Sequence, residues 1–367
     1  MIGLALSGGG SRAIAFHLGC LRALRDFKLL EKVGVISTIS GGSVIGAYFA
    51  YNPSKTFEEF ETNIKSLLRT GLQRQLVLEC IKPKNLLPGL AASALAYAQD
   101  GLGLLVKREP NIPRFRSRTD AFEAVLQRNG FASLLVGSPR RHNLDVVIGA
   151  CELRAGTAFR FGNQKSGSWR HGELVRNDIP LSFAVAASAA YPIFFPAFDR
   201  TFDFRRADKV EAIRVSLTDG GVYDNLGIQV LEPGRNPNFS LHTFPCDYII
   251  SCNAGRGQDT GTGVPLSFGP RVKRAFEVVH RRVQDSAMHH LHGLKESGKL
   301  RGFAMPYLGQ LDAALPEKPA GLVPREKVIS YPTDFAAMSE DWIQILSSRG
   351  EQLTRILMST YLPELLR

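Results

Sequence analysis

An α/β fold on a mainly parallel sheet is the fold class this sequence predicts, and three observations carry it. Ile2–Leu6 is a short apolar run that ends in Ser-Gly-Gly-Gly-Ser. Residues 13–27 follow with Ile14, Leu18, Leu21 and Leu24 at helical spacing. Val33–Ile39 is a second apolar, β-branched run that ends in Ser-Gly-Gly-Ser, and a helix is predicted over 44–51. Strand, glycine turn and helix thus occur twice in succession. Parallel neighbours need such crossovers, so the alternation argues for a parallel sheet.

The remaining elements follow in order. Residues 55–130 read as mainly helical. Residues 144–152 read as a strand with a hairpin partner at 157–161. A small-residue helix over 180–190 is stopped by Tyr191-Pro192. Residues 212–217 form a strand that runs into Thr218-Asp219-Gly220-Gly221. Tyr248–Cys252 is another apolar strand and ends at Asn253-Ala254-Gly255. A long basic helix is predicted over 270–291, and two helices, 335–346 and 350–361, close the chain. Residues 199–211 and 232–243 read as loops, and 309–333 as a Pro-rich connection. Neither a repeat nor a separating linker is visible, so one elaborated α/β domain over 1–367 is expected.

Composition narrows the function classes. Hydrophobic residues are 44% and charged residues 22% of the 367, which excludes a disordered chain or a coiled coil as the dominant state. The formal charge of +11 favours anionic partners: phospholipid, nucleic acid or phosphorylated small molecules. Basic and aromatic residues do not interleave and no recognition motif is present, so nucleic acid is not expected. Cys20, Cys80, Cys151, Cys246 and Cys252 are widely spaced without C-x-x-C, against a disulfide framework or structural zinc and in favour of a reducing compartment. The first residues lack a charged n-region and an h-region, so a signal peptide is not expected, and a cytoplasmic protein peripheral to the membrane is.

Residues 86–106 are mostly apolar, but Pro88, Gly89, Gln99, Asp100, Gly101 and Gly103 interrupt them. A spanning helix needs about 20 apolar residues, so a buried helix over 90–98 followed by a loop is the preferred reading. A third reading is an apolar cap over a site. The basic helix carries Arg271, Lys273, Arg274, Arg281 and Arg282 beside Val272, Phe276, Val279 and Val283. It reads as a core helix with a solvated basic face, or as an interfacial helix.

Three turns carry candidate chemistry. Gly8, Gly9 and Gly10 leave backbone N–H groups uncovered at the head of a helix, where an anion or a transient oxyanion is stabilised. Gly8-x-Gly10-x-x-Ala13 also fits a dinucleotide fingerprint. The acid expected about 20 residues on is missing; Ser37, Thr38 and Ser40 stand there instead. Arg12 either serves the anion site or forms a salt bridge with a neighbouring strand. In Ser40-Gly41-Gly42-Ser43-Val44-Ile45-Gly46, Ser43 reads as a nucleophile elbow with Gly41 at −2 but Ile45 at +2, or as a plain helix cap. Asp219, before Gly220 and Gly221, is a candidate base, with Asp224 a rival that also suits a helix cap.

Together Gly8-Gly9-Gly10-Ser11-Arg12, Gly41-Gly42-Ser43 and Asp219-Gly220-Gly221 resemble the motifs of the patatin-like phospholipases. The small-residue block Ala187–Pro196 resembles the family too, and the likeness covers about residues 1–230. The resemblance implies a three-layer α/β/α fold with a catalytic core over 1–255 and a helical extension over 256–367. It implies a serine lipid acyl hydrolase with Ser43 as nucleophile, Asp219 as base and Gly8, Gly9 and Gly10 as oxyanion hole, supported by Arg12, Gly41, Gly42, Gly220 and Gly221. The implied substrate is a phospholipid or other acyl-ester lipid at an anionic membrane surface, with no metal or cofactor. His289-His290-x-His292 looks metal-like but suits a helix surface or core better. A Ser43–Asp219–His triad using His242, His280, His289, His290 or His292 is an alternative mechanism, with His17 read as structural. Competing functions are a nucleotide-binding protein using Gly8–Ala13 and a catalytically silent module, the latter favoured by Ile45.

Overall fold

The computed structural model describes residues 1–367 apart from 53–55, 84, 86–88, 92–93, 96–97, 99–116, 140, 142, 258–262 and 264. Its strands are β1 Ile2–Leu6, β2 Val33–Ile39, β3 Asp145–Glu152, β4 Thr157–Gly162, β5 Ser166–Ser168, β6 Gly172–Leu174, β7 Phe198–Arg206, β8 Lys209–Asp219, β9 Tyr248–Cys252 and β10 Gly302–Ala304. Its helices are α1 Gly10–Asp26, α2 Gly41–Tyr51, α3 Phe57–Thr70, α4 Leu72–Cys80, α5 Arg118–Leu126, α6 Leu181–Ser188, α7 Gly221–Asp224, α8 Phe268–Glu296, α9 Arg325–Val328 and α10 Glu340–Tyr361.

The strands form one mixed sheet in the order β10-β9-β1-β2-β3-β4-β5-β6-β7-β8. The first five are parallel neighbours. From β3 onward every pairing is antiparallel, and β8 returns to pair with β3, which closes β3 to β8 into a six-stranded barrel. The expectation of a mainly parallel sheet is therefore corrected: antiparallel pairings outnumber parallel ones. The cause is connection length. Short turns link β3 to β4 and β7 to β8, and a turn of a few residues permits only an antiparallel hairpin. The predicted loop over 199–211 is in fact most of that β7–β8 hairpin. Most of its charged residues are exposed, while Phe198 and Phe204 are buried. Phe159, Phe161, Phe183, Phe198 and Phe204 pack together there.

Both faces of the parallel half are covered, as parallel strands require. Leu4, Leu6 and Ile36 belong to a core with α1, α2 and α10. Ala5 and Val35 point the other way, onto Leu226, Ile228, Leu231, Leu291, Leu294 and Phe303. The C-terminal helix is part of this first layer. At its crossing with α1, a Cβ at Gly19 would stand 1.8 Å from the Ser347 carbonyl oxygen, and one at Gly350 2.1 Å from that of Phe16. Gly350 is thus a contact point inside one continuous helix, where two helices were expected.

Of the apolar stretch 86–106, most lies outside the described residues. Within the helix expected over 90–98, Leu90 and Leu95 are 61% and 37% exposed, so these positions do not form a buried face. Among the described residues no helix is long and apolar enough to cross a membrane.

Candidate active site

β1, β2, β8 and β9 deliver their C-terminal ends to one place. Where β2 runs into α2, the chain turns at Ser40, with φ 53° and ψ −120°. Positive φ in a non-glycine residue costs on the order of 1–3 kcal/mol and persists where the surroundings enforce it. Here packing does. A Cβ at Gly42 would lie 2.2 Å from the Leu6 carbonyl oxygen, and one at Gly41 2.3 Å from that of Gly10. The Ser40 N–H donates to Ser188 Oγ at 2.9 Å, which ties the turn to the end of α6.

The Ser40 hydroxyl, in a residue 7% exposed, donates to Asp219 Oδ2 at 2.8 Å. Ser43, expected to meet Asp219, does not. It lies one turn into α2, is fully buried, donates to Thr38 Oγ1 at 3.1 Å and shares a hydrogen bond with Ser188 Oγ at 2.8 Å. The elbow is centred on Ser40, so the +2 position is Gly42 and not Ile45. The −2 position is Thr38, and Gly46 makes room for it: a Cβ there would stand 2.4 Å from Thr38 Cγ2.

Asp219 ends β8, opposite Ala150 of β3. Its N–H donates to the Ala190 carbonyl at 3.1 Å, and Gly220 N–H to that of Ser188 at the same distance, so the small-residue block fixes the turn. Oδ1 accepts from Gly221 N–H at 2.7 Å. Burial pushes the carboxyl up to about 7; the hydrogen bonds from Gly221 and Ser40 oppose this but do not cancel it. Asp224 accepts from the N–H groups of Gly227 and Gln229 and closes the turn after α7.

The first glycine turn lies alongside. A Cβ at Gly8 would be 3.2 Å from Ser40 Cβ and 2.4 Å from Asn225 Oδ1. The Gly8 N–H donates to the Asn225 carbonyl at 3.2 Å, so it is committed to structure. Gly9 and Gly10 have φ of 144° and 59°. Among the described residues their N–H groups donate to no protein acceptor. The Asp334 carbonyl accepts from Ser11 N–H at 2.7 Å and so fills the head of α1, where a dinucleotide pyrophosphate would have to sit. Arg12 is buried and donates to the carbonyls of Ala254 and Tyr331. Burial, then the charge of Arg256, lowers its guanidinium to about 9. It braces the glycine turn against the β9 end and the C-terminal segment.

No histidine touches either serine among the described residues. His17 and His242 are buried, each bonded to a backbone carbonyl, and burial lowers both to about 3. His280 packs against the Gly221 backbone, and burial lowers it too. Among the described residues no three His, Cys, Asp or Glu side chains gather as a metal site would.

Sequence reasoning did not single out Ser188 or Asn225 for the site, and named Ser40 and Thr38 only as standing where a ribose-binding acid would. For Ser40 the signal was present: the strand ends at Ile39, and an elbow residue stands directly after its strand.

The family model described as patatin-like phospholipase matches residues 4–231, well over half of the chain. The chain belongs to that family. No curated protein matches it. The solved structure of human GIVD cytosolic phospholipase A2 is similar in fold, with a TM-score of 0.55 at 13% identity, covering all of this chain and 60% of that one. The same human protein with methyl gamma-linolenyl fluorophosphonate gives 0.51 at 12% identity, covering all of this chain and 59% of that one. VipD from Legionella pneumophila gives 0.40 at 14% identity, over 98% of this chain and 66% of that one. The patatin-like chain therefore spans about 60% of the human enzyme's length.

Proposed function

We propose that this patatin-like chain is a serine lipid acyl hydrolase in which Ser40 is the nucleophile and Asp219 the base. The observation that carries the reading is the 2.8 Å hydrogen bond from Ser40 Oγ to Asp219 Oδ2 at a strained strand-to-helix turn. Ser40 Oγ attacks the acyl carbonyl and its proton passes to Asp219. The N–H groups of Gly9 and Gly10 receive the oxyanion, with Gly41 N–H at the head of α2 beside them. The leaving alcohol takes the proton back. Water, deprotonated by Asp219, then attacks the acyl carbonyl; the bond to Ser40 Oγ breaks, the fatty acid leaves, and the proton passes from Asp219 to Ser40 Oγ. A carboxyl near 7 suits both directions of transfer at neutral pH. Arg12 and Ser188 position the two turns, and Gly42, Gly220 and Gly221 allow their close approach.

Family membership supports a lipid substrate; phospholipid is the proposed class, consistent with the charge of +11. The silent-module reading loses its footing, because Gly42 stands at +2 of Ser40. Hydrolysis of a soluble short-chain ester and of phospholipid tests the assignment. Ser40→Ala and Asp219→Asn are each expected to lose at least about 10³-fold in kcat, and the double variant no more than either alone. Ser43→Ala should stay within about tenfold, since its hydroxyl only packs the elbow. A dead Ser43→Ala beside an active Ser40→Ala would overturn the reading.

A further inference from the structure

Helix α8 lies at the catalytic mouth and is largely uncovered. Over its 29 residues, Leu291 and Leu294 are the buried ones. They continue a stripe that runs back through Ala287, Gln284, His280 and Phe276 at spacings of three and four, the side a helix turns to its support. Near the head of the stripe, the Phe276 ring is 6.2 Å from Tyr191, and His280 lies against Gly221, two residues from Asp219. Beside this stripe runs a second, exposed row. Phe268, Val272, Val279 and Val283 are 75%, 53%, 63% and 41% exposed. Tyr191, packed on Phe276, brings another exposed pair to the head of the helix: its ring is 5.9 Å from Phe194, and Ile193 and Phe194 are 50% and 54% exposed.

Soluble proteins rarely cluster this many exposed apolar side chains without a partner. The charge around them names the partner. Arg271 and Arg282 stand next round the helix from the apolar row and are exposed. Lys273, Arg274 and Arg281 share the same stretch, in which Glu277 is the single acid before Asp285. A second copy of the chain laid on this face would oppose arginine to arginine. An apolar row bordered by cations fits the boundary between anionic headgroups and acyl chains.

We propose that the rim formed by Tyr191, Ile193, Phe194 and the first half of α8 docks on an anionic lipid bilayer. Docking holds the mouth beside Ser40 at the depth of the acyl esters. The inference rests on the hydrolase reading for its purpose but not for its test.

The full chain carrying Ser40→Ala is sedimented with vesicles of phosphatidylcholine alone and with phosphatidylserine added. Binding is expected with phosphatidylserine and should fall as salt rises. Val272→Asp with Val279→Asp should cut partitioning by about tenfold or more, while Val210→Asp, an exposed valine on the β7–β8 hairpin, should leave it unchanged. Arg271→Glu with Arg282→Glu should abolish the phosphatidylserine dependence. With Ser40 restored, all these variants should melt with the parent and turn over a soluble ester at the parent's rate. Equal binding to both vesicles, full binding by the Val272→Asp/Val279→Asp chain, or a dimer that these changes dissolve would overturn the proposal. Docking as expected with no ester turned over by the Ser40 chain would uphold it and remove the hydrolase reading alone.

Discussion

Ser40 and Ser43 are three residues apart in a run of small residues, and backbone conformation separates them. Ser40 sits at positive φ with its hydroxyl on Asp219, whereas Ser43 is inside a helix with its hydroxyl on Thr38 and Ser188. The sequence made the turn, the aspartate and the glycine loop legible, because glycines at strand ends are visible as letters. It did not make the register of the elbow legible. Centring on Ser43 puts a glycine at −2; counted from the turn residue Ser40 the −2 residue is Thr38, and its room comes from Gly46, eight positions on. Gly8 was equally opaque, since the partner of its N–H, Asn225, is distant in sequence. The Asp219 carboxyl yields a prediction at this scale. Burial raises it to about 7, and the proposed base would act when ionised, so activity is expected to be lost as the pH falls through that value. For a soluble ester, kcat/KM should climb about tenfold per pH unit below 7 and level off above it. A profile flat from pH 5 to 8 would remove Asp219 as the base.

At the scale of elements, apolar strands and helices were readable from periodicity, and the errors fell where another pattern masked it. The β7–β8 hairpin is rich in Arg, Asp and Lys, most of them exposed, so residues 199–211 resemble a loop, although Phe198 and Phe204 hold its inner face. Gly350 resembled a break between helices, but it is where α10 meets α1. That contact predicts opposite effects for one substitution at two helix-interior glycines. At Gly350 an added methyl meets the Phe16 carbonyl at 2.1 Å, so Gly350→Ala should destabilise the protein by about 1–3 kcal/mol. At Gly293 nothing lies within 4 Å, so Gly293→Ala should stabilise it by about 0.5–1 kcal/mol. Urea unfolding of the two variants checks both signs.

At the scale of the whole molecule, a parallel half supplies the turns and an antiparallel barrel brings Asp219 to them. Strand β3 belongs to both: it pairs with β2 on one side and with β4 and β8 on the other. The sequence could not announce this closure, because the β3–β8 pairing joins Ala150 to Asp219 across a long stretch of chain and leaves no local pattern. Yet that pairing sets the carboxylate against the β2–α2 elbow, and the proposed catalysis depends on it. Covalent trapping is its most direct test. A fluorophosphonate ester bonds to an activated serine Oγ, and peptide mapping by mass spectrometry reports which serine carries the adduct. The expected result is one adduct on Ser40, absent from Ser40→Ala, strongly reduced in Asp219→Asn and retained in Ser43→Ala. An adduct on Ser43, or labelling of Ser40 that is indifferent to Asp219→Asn, would rule out Ser40 and Asp219 as the acting pair.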